Sequence, residues 1–270
     1  MKIAVSGKGG VGKSTIAAAI ALTLAQKGQR VLALDADPDA NLAAALGIPG
    51  NAQITPISRQ IELIEERTGA KVDQYGQVFK LNPEVGDVAE KIAFSHNGVD
   101  LLVLGAVKRG GGGCACPENV FIRALVTDLV LYKNETLIMD MEAGIEHLGR
   151  ATVTGVDVMI IVVEPGRRSL DCAKTVVEMS KEIGLKNFVI VGNKITNEDD
   201  KRYITEEITL RHRGHRGHRD TENVNEEIFF LPYSEQIRNS DRDGVSVFDG
   251  MNDVEKDVIE RLIEKINKKY

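Results

Sequence analysis

The sequence predicts an α/β fold in which a mainly parallel β-sheet is flanked by helices on both faces. Short runs rich in β-branched residues alternate with longer amphipathic stretches along the 270 residues. The strand candidates are apolar throughout, as in strands that are buried on both sides. A glycine-rich segment also separates the first strand from the first helix. Right-handed crossovers between parallel strands place the functional loops at the carboxyl ends of those strands.

The predicted elements follow one another with two interruptions. Strands are predicted at residues 2–5, 30–34, 100–104, 135–139, 157–163, 187–191 and 227–231. Helices are predicted at residues 15–27, 118–132, 170–183, 199–210 and 253–267. Residues 72–83 suit either a small hairpin or an irregular excursion, and the charged, glycine-punctuated segment 211–220 suits an exposed loop. We therefore expect a single domain over residues 1–270, with 211–220 as a candidate exposed insertion.

Composition and charge narrow the classes of function. The chain is 43% hydrophobic and carries a formal net charge of -6. This charge gives no general affinity for nucleic acid or anionic membranes, and no apolar run approaches the length of a membrane span. Three cysteines do not form a disulfide framework in a chain of this size, so a cytoplasmic location is expected. We expect neither nucleic acid nor a membrane among the partners.

The glycine-rich segment reads GKGGVGKS and fits the pattern G-x-x-x-x-G-K-[ST] between a strand and a helix. Its glycines let successive backbone N–H groups turn toward phosphate oxygens, and the following helix adds its partially positive end. Lys13 is expected to reach the β- and γ-phosphates, and the Ser14 hydroxyl is expected to bind Mg²⁺. The predicted nucleotide-binding residues of this loop are Gly7, Lys8, Gly9, Gly10, Val11, Gly12, Lys13, Ser14 and Thr15.

Lys8 directly follows the first glycine of the motif and gives the sequence KGGVGKST. This resembles the deviant P-loop of the MinD, ParA and nitrogenase iron protein group of ATPases. The resemblance implies a MinD-like P-loop NTPase fold in which the loop lysine, here Lys8, reaches across a dimer to the nucleotide of the other subunit. Hydrolysis would then depend on pairing, because neither site is complete alone. Without this resemblance, Lys8 would be interpreted as a solvated lysine on an exposed loop.

Two acidic segments extend the resemblance. Asp37, in DADPDAN, matches the first switch of that group and would position or activate the attacking water. Asp140 follows the apolar run TLIM and matches a position that bonds to Mg²⁺ through water, while Gly144 would let a second switch sense the γ-phosphate. Many relatives have threonine where this chain has Glu142, so the water network is expected to differ. The predicted catalytic residues are Lys8, Lys13, Asp37 and Asp140.

The resemblance also implies where the base binds. Asn193 ends a predicted strand at VGNK, and the matching asparagine of the group hydrogen-bonds adenine. A proline-containing stretch like PYSE, which begins at Pro232, packs beside the base in that group. Thr196 stands two residues after Lys194, where a guanine site requires a carboxylate acceptor. ATP and ADP are therefore the expected nucleotides.

Two of the three cysteines, Cys114 and Cys116, lie in the segment RGGGGCACPEN. In extended backbone, residues i and i+2 face the same side, so both sulfurs can point at one ion. Two thiolates fill only half of a tetrahedral or square-planar site, and a symmetric dimer would supply the other half. A redox pair and two incidental small residues are the alternative interpretations.

The order of the motifs resembles the CooC family of nickel-handling ATPases. The resemblance is carried by the KGGVGKS loop, DADPDANLA, the CAC pair with PEN after it, and DMEAGIEHLGR. It implies a homodimer, formed on ATP or metal binding, that shares Ni²⁺, or Zn²⁺, between Cys114 and Cys116 of both chains. The implied client is carbon monoxide dehydrogenase or the related acetyl-CoA synthase.

Two further functions stay open. A positioning ATPase of the MinD or ParA type needs a membrane helix or a DNA-binding patch, whereas the terminal helix has charges of mixed sign and is expected to pack on the core. An iron–sulfur cluster carrier is the other alternative. His212, His215 and His218 suit a solvated loop better than an accessory nickel site, because neighbouring arginines repel cations. Cys172 is expected to fill the core.

Overall fold

The computed structural model of the chain describes residues 1–72, 74, 76–106, 116–131, 135–142, 155–210 and 228–269. Several sequence predictions fall on residues outside this set, and they stay predictions. They concern Cys114, Gly144 and the segment 211–220 with its three histidines. The prediction of a single domain over the whole chain also stays a prediction.

The described strands form one eight-stranded sheet. They are β1 (Lys2–Gly7), β2 (Val31–Asp35), β3 (Phe94–His96), β4 (Val99–Val103), β5 (Thr136–Asp140), β6 (Val158–Val163), β7 (Phe188–Ile195) and β8 (Ile228–Pro232). Their spatial order is β3-β4-β2-β5-β1-β6-β7-β8, and every neighbouring pair is parallel except β3 with β4. The predicted mainly parallel α/β sheet is therefore confirmed.

Helices cover both faces of this sheet. They are α1 (Lys13–Gln26), α2 (Leu42–Ala45), α3 (Ile61–Thr68), α4 (Val88–Ile92), α5 (Pro117–Leu131), α6 (Arg167–Glu182), α7 (Glu198–Leu210), α8 (Glu235–Asp243), α9 (Val247–Gly250) and α10 (Asp253–Lys269), with a 3₁₀ turn at Ile57–Arg59. Alternate residues of β1 face opposite cores. Ile3 and Val5 pack in the core that contains residues of α1 and α10, whereas Ala4 packs in the core that contains residues of α5 and α6.

Helix α1 is buried along most of its length. Four of its five alanines, Ala17, Ala18, Ala19 and Ala21, have no exposed surface. Small side chains let the helix lie close to the sheet, where larger ones would hold it away. The helix begins directly after the glycine-rich loop, so this packing fixes the loop at the carboxyl end of β1.

The structure departs from the sequence predictions at the periphery. The sequence does not predict β3, because a three-residue strand is too short to show a period, nor the short helices α2, α3, α4, α8 and α9. At the described positions of the segment 72–83 there is neither a strand nor a helix, which favours the irregular alternative. No helix of the described residues is both long and apolar enough to cross a bilayer.

Candidate active site

The loop between β1 and α1 lies against the ends of two neighbouring strands. Gly12 precedes α1 with a positive φ of 98°. A Cβ atom on Gly12 would lie 2.3 Å from Asn193 Nδ2, and one on Gly7 would lie 2.3 Å from the carbonyl oxygen of Val162. Both positions therefore require glycine, because any side chain would push the loop away from β6 and β7.

Two consecutive residues of β7 bind the backbone of the loop. The Asn193 Nδ2 donates to the Val11 carbonyl at 2.8 Å, and the Lys194 Nζ donates to the Gly10 carbonyl at 2.6 Å. The backbone N–H of Lys194 donates to Asn193 Oδ1 at 2.9 Å, which fixes the orientation of the buried amide. Because C=O and N–H point in opposite directions across a trans peptide, the bond to Val11 turns the Gly12 N–H away from β7.

The segment after β2 holds Asp37 beside the loop lysine. Lys13 Nζ lies 3.5 Å from Asp37 Oδ2, and the two side chains are 6% and 14% exposed. The Asp35 carboxylate accepts the N–H of Asp37 at 3.2 Å and the N–H of Leu42, the first residue of α2, at 2.9 Å. Asp35 thus ties together the two ends of the segment that carries Asp37.

Two buried carboxylates lie opposite each other in β2 and β5. Asp35 and Asp140 are register partners without exposed surface. Burial raises the pKa of Asp35 to about 7 against the effect of its backbone hydrogen bonds. Burial likewise raises the pKa of Asp140 to about 6, although the Ser14 hydroxyl and the Lys13 ammonium act to lower it.

The Asp140 carboxylate suits a hard cation. Neither of its oxygens has a hydrogen bond of acceptable geometry to another described residue, and the Ser14 hydroxyl lies beside it without completing one. A buried polar group without a partner is rare in native structures and indicates an ion or water. Mg²⁺ prefers oxygen ligands, so the Ser14 hydroxyl with the Asp140 carboxylate behind it fits that ion.

A cleft of about 460 Å³ opens over the loop, a size that fits a small-molecule ligand. Of the predicted site residues, the cleft is lined by Gly9, Gly10, Gly12, Lys13, Ser14, Thr15, Asp37, Asn193 and Pro232. Gly7, Lys8, Val11 and Asp140 are not among its lining residues. A larger cleft of about 760 Å³ lies between residues 81–86 and α5, but the loop and the acidic strand ends do not line it. The smaller cleft is therefore the candidate nucleotide site.

Lys8 belongs to the glycine-rich loop but does not line the cleft. It is half-buried. Burial raises the pKa of the Cys172 thiol in α6, and the charges of Lys13 and Lys8 act to lower it. Cys172 itself packs against the core, as the sequence predicts. The contact of Lys8 with a second subunit stays a prediction.

Cys116 immediately precedes α5. Its thiol is free and half-buried, and its carbonyl accepts the N–H of Val120 at 3.1 Å, so its backbone joins the first turn of the helix. Its companion Cys114 lies outside the described residues. No group of three or more histidine, cysteine or carboxylate side chains in the described part of the chain is arranged to hold a metal ion. Metal binding by the pair stays a prediction.

The structure adds cleft residues that the motifs do not indicate. Ile237, Arg238 and Val247 line the cleft beside Tyr233, and the Arg238 Nη1 donates to the Tyr233 hydroxyl at 3.2 Å. These residues belong to α8 and α9 or precede them, and neither helix carries a phosphate-binding pattern. No local pattern in the sequence indicates these residues, because they lie in two separate short helices.

The fold and the loop together define a P-loop ATPase with a second lysine inside the loop. A family model described as the CobQ/CobB/MinD/ParA nucleotide binding domain matches residues 2–247. The chain belongs to this family and is an ATPase.

Relatives narrow the position within the family. The chain is 40% identical to the carbon monoxide dehydrogenase accessory protein CooC of Rhodospirillum rubrum, over 92% of this chain and 90% of that protein. It is 41% identical to an uncharacterised ATP-binding protein of Methanocaldococcus jannaschii, over 89% of this chain and 88% of that protein. The resemblance to CooC that the motifs indicate is therefore confirmed.

Solved structures are similar in fold. A chain of the MinC:MinD cell division protein complex of Aquifex aeolicus superposes with a TM-score of 0.66 at 22% identity, covering 98% of this chain and 96% of that chain. The septum site-determining protein MinD of Pyrococcus horikoshii, complexed with Mg-ADP, superposes with a TM-score of 0.62 at 19% identity, covering 99% and 96%. The predicted MinD-like P-loop fold is confirmed.

Proposed function

We propose that the chain is a nucleotide-dependent homodimer that hydrolyses ATP, binds nickel through Cys114 and Cys116 of both copies and assists its insertion into the metal cluster of carbon monoxide dehydrogenase. The related acetyl-CoA synthase is the alternative client. One observation carries this proposal: the chain is similar over 92% of its length to a carbon monoxide dehydrogenase accessory protein. The free thiol of Cys116 and the CAC spacing supply the metal chemistry.

In the nucleotide site, the loop amides and Lys13 would hold the phosphates. The Ser14 hydroxyl would bind Mg²⁺, with Asp140 bonded to it through water, and the bound ion would neutralise charge on the phosphoryl oxygens. Asp37, 3.5 Å from Lys13, would orient the attacking water. Phosphoryl transfer depends on such placement and charge stabilisation, since little covalent chemistry is left to the protein.

The base would lie beside β7 and β8. One hydrogen of the Asn193 amide binds the Val11 carbonyl, and its oxygen accepts the Lys194 N–H. The adenine contact that the resemblance implies for Asn193 would therefore use its second amide hydrogen. Pro232 and Tyr233 line the same cleft and would pack beside the ring.

Pairing of two copies would complete both kinds of site. One chain contributes two thiolates, which is half of a tetrahedral or square-planar ligand set. A two-fold axis near Cys116 would gather four sulfurs around one nickel ion, which is the cargo. Lys8 would reach the nucleotide of the partner, so that ATP binding favours the pair. Hydrolysis would loosen the pair and release the metal.

Nickel stoichiometry in the presence of ATP tests this proposal. Cys116→Ala removes one proposed ligand, and Cys172→Ala is a matched control, because Cys172 is also half-buried but lies in α6 against the core. The wild type and the control should bind about one nickel ion per two chains. Cys116→Ala should lose that ion and keep its affinity for ATP. Equal nickel in all three proteins would refute the assignment.

The two alternatives predict different observations. A membrane-positioning ATPase needs an accessible amphipathic helix, but Val258, Ile259, Leu262, Ile263 and Ile266 of α10 are buried in the core, as the sequence predicts. ATP-dependent sedimentation with liposomes would favour that alternative. An iron–sulfur carrier would show charge-transfer absorption after anaerobic purification, whereas a nickel carrier would not show the iron-dependent bands.

A further inference from the structure

Lys194 adopts a backbone conformation that is unfavourable for lysine. Its φ is 59°, in the left-handed region where a residue other than glycine is strained. The pairing of β7 with β8 is irregular here, between Gly192 and Ile195. Such a conformation persists where surrounding contacts fix it, so the contacts of the lysine side chain explain its presence.

The Lys194 ammonium connects two segments of the active site. It donates to the Gly10 carbonyl at 2.6 Å and lies 3.4 Å from Glu164 Oε2. Glu164 follows β6, and its backbone N–H donates to the Oγ of the buried Ser169 in the first turn of α6. A hydrogen bond from an ammonium group is charge-assisted and stronger than one between neutral groups. Glu164 thus holds the ammonium at the loop.

The Gly10 carbonyl belongs to the tip of the phosphate loop. On the far side of the same peptide plane, the Val11 N–H donates to the Lys8 carbonyl at 3.3 Å. The peptide between Gly10 and Val11 is therefore bound on both edges. Gly9 and Gly10 are exposed, and Gly10 has a positive φ of 81°. Because glycine has no side chain to pack, these two residues themselves restrain the loop tip only weakly.

We propose that Lys194 is a positioning residue of the ATPase, which fixes the tip of the phosphate loop through the Gly10 carbonyl and is oriented by Glu164. Asn193 holds the next carbonyl, that of Val11. The two β7 residues thus bind consecutive peptides before nucleotide arrives. A loop that is already ordered loses less conformational entropy when phosphate binds. The assignment concerns nucleotide binding and is independent of nickel.

Dissociation constants for MgATP and MgADP test this role. Lys194→Met keeps the length of the side chain but removes the ammonium. It should raise the dissociation constants for MgATP and MgADP about tenfold. Lys194→Gly should lose as much affinity for both nucleotides as Lys194→Met does, although glycine relieves the backbone strain and maintains the thermal midpoint of the protein. Lys194→Arg retains a charged donor and should recover part of the affinity. Lys201→Met is the control, since Lys201 is similarly exposed and pairs with Glu198 of its own helix.

The variants separate positioning from folding. Wild-type affinity in Lys194→Gly would overturn the proposal, because the ammonium would then have no role in binding. Equal losses in Lys194→Met and Lys201→Met would also overturn it. Glu164→Gln should weaken binding less than Lys194→Met and add no further loss to that variant. A fully additive loss would show that Glu164 acts independently of Lys194.

Discussion

The phosphate loop and the cysteine segment differ in how completely one chain builds them. In the loop, the Gly10 and Val11 carbonyls are bound by β7 side chains, and Asp37 is held beside Lys13. Cys116 instead precedes α5 with a free, half-buried thiol. The comparison indicates that nucleotide binding is a property of the single chain, whereas the proposed metal site requires a second copy.

Asp37→Asn tests the proposed hydrolytic role of the nucleotide site and has the largest expected effect. The amide cannot accept a proton from water, so we expect kcat for ATP hydrolysis to fall by about 10²-fold or more. The affinity for ATP should stay close to wild type, because the loop and Lys13 hold the phosphates. Steady-state hydrolysis and equilibrium nucleotide binding check the two parts. An unchanged kcat would exclude Asp37 as the residue that places the water.

Lys8→Ala tests whether ATP bound at the phosphate loop drives the dimerisation that the proposed metal site requires. We expect this variant to bind ATP but to lose ATP-driven dimerisation, because the partner nucleotide would lack its lysine. Size-exclusion chromatography with and without ATP measures the effect. Lys27→Ala, at the opposite end of α1 and paired with Glu260, should dimerise like the wild type. If Lys8→Ala also dimerises normally, the lysine has no role across the interface.

Where its signal is local, the sequence predicts which residues the fold gathers at one end of the sheet. The loop, Asp37 and Asp140 each lie at the end of a predicted strand, and the topology of parallel strands brings them together. The contact between Asn193 and Val11 joins residues 182 positions apart, and no local pattern indicates it. The sequence likewise does not predict the left-handed conformation of Lys194, because lysine does not favour a positive φ.

Asp140→Asn tests whether the buried carboxylate awaits a cation. The folded-state pKa of Asp140 is raised from 3.8 to about 6, so the wild-type fold loses stability as pH rises through this interval. Asparagine does not ionise. Without Mg²⁺ and nucleotide, the variant should therefore be more stable than wild type at pH 7, by at most about 3 kcal/mol, and nearly equal to it near pH 4.

Chemical denaturation at both pH values measures this difference. Addition of Mg²⁺ and ATP should reduce or reverse it, because only the wild type offers the ion a carboxylate. A stability difference that does not change between pH 4 and pH 7 would contradict the assigned pKa shift.

The smallest predicted effect concerns Tyr233, and it distinguishes contacts with the base from contacts with the phosphates. Tyr233 lines the cleft and is 43% exposed. Tyr233→Ala should therefore lower the affinity for ATP about threefold, because an apolar contact is lost. Binding of inorganic triphosphate should not change, because the loop is intact. Tyr203→Ala, another partly exposed tyrosine, is the control. Equal weakening of ATP and triphosphate would place Tyr233 at the phosphate end of the cleft.

Native mass spectrometry of the protein with ATP and limiting Ni²⁺ tests the shared metal site most directly. The expected species contains two chains, two nucleotides and about one nickel ion, and it disappears in Cys116→Ala. A nickel ion bound to each separate chain, or a nickel-loaded pair that persists without the Cys116 thiol, would contradict the account.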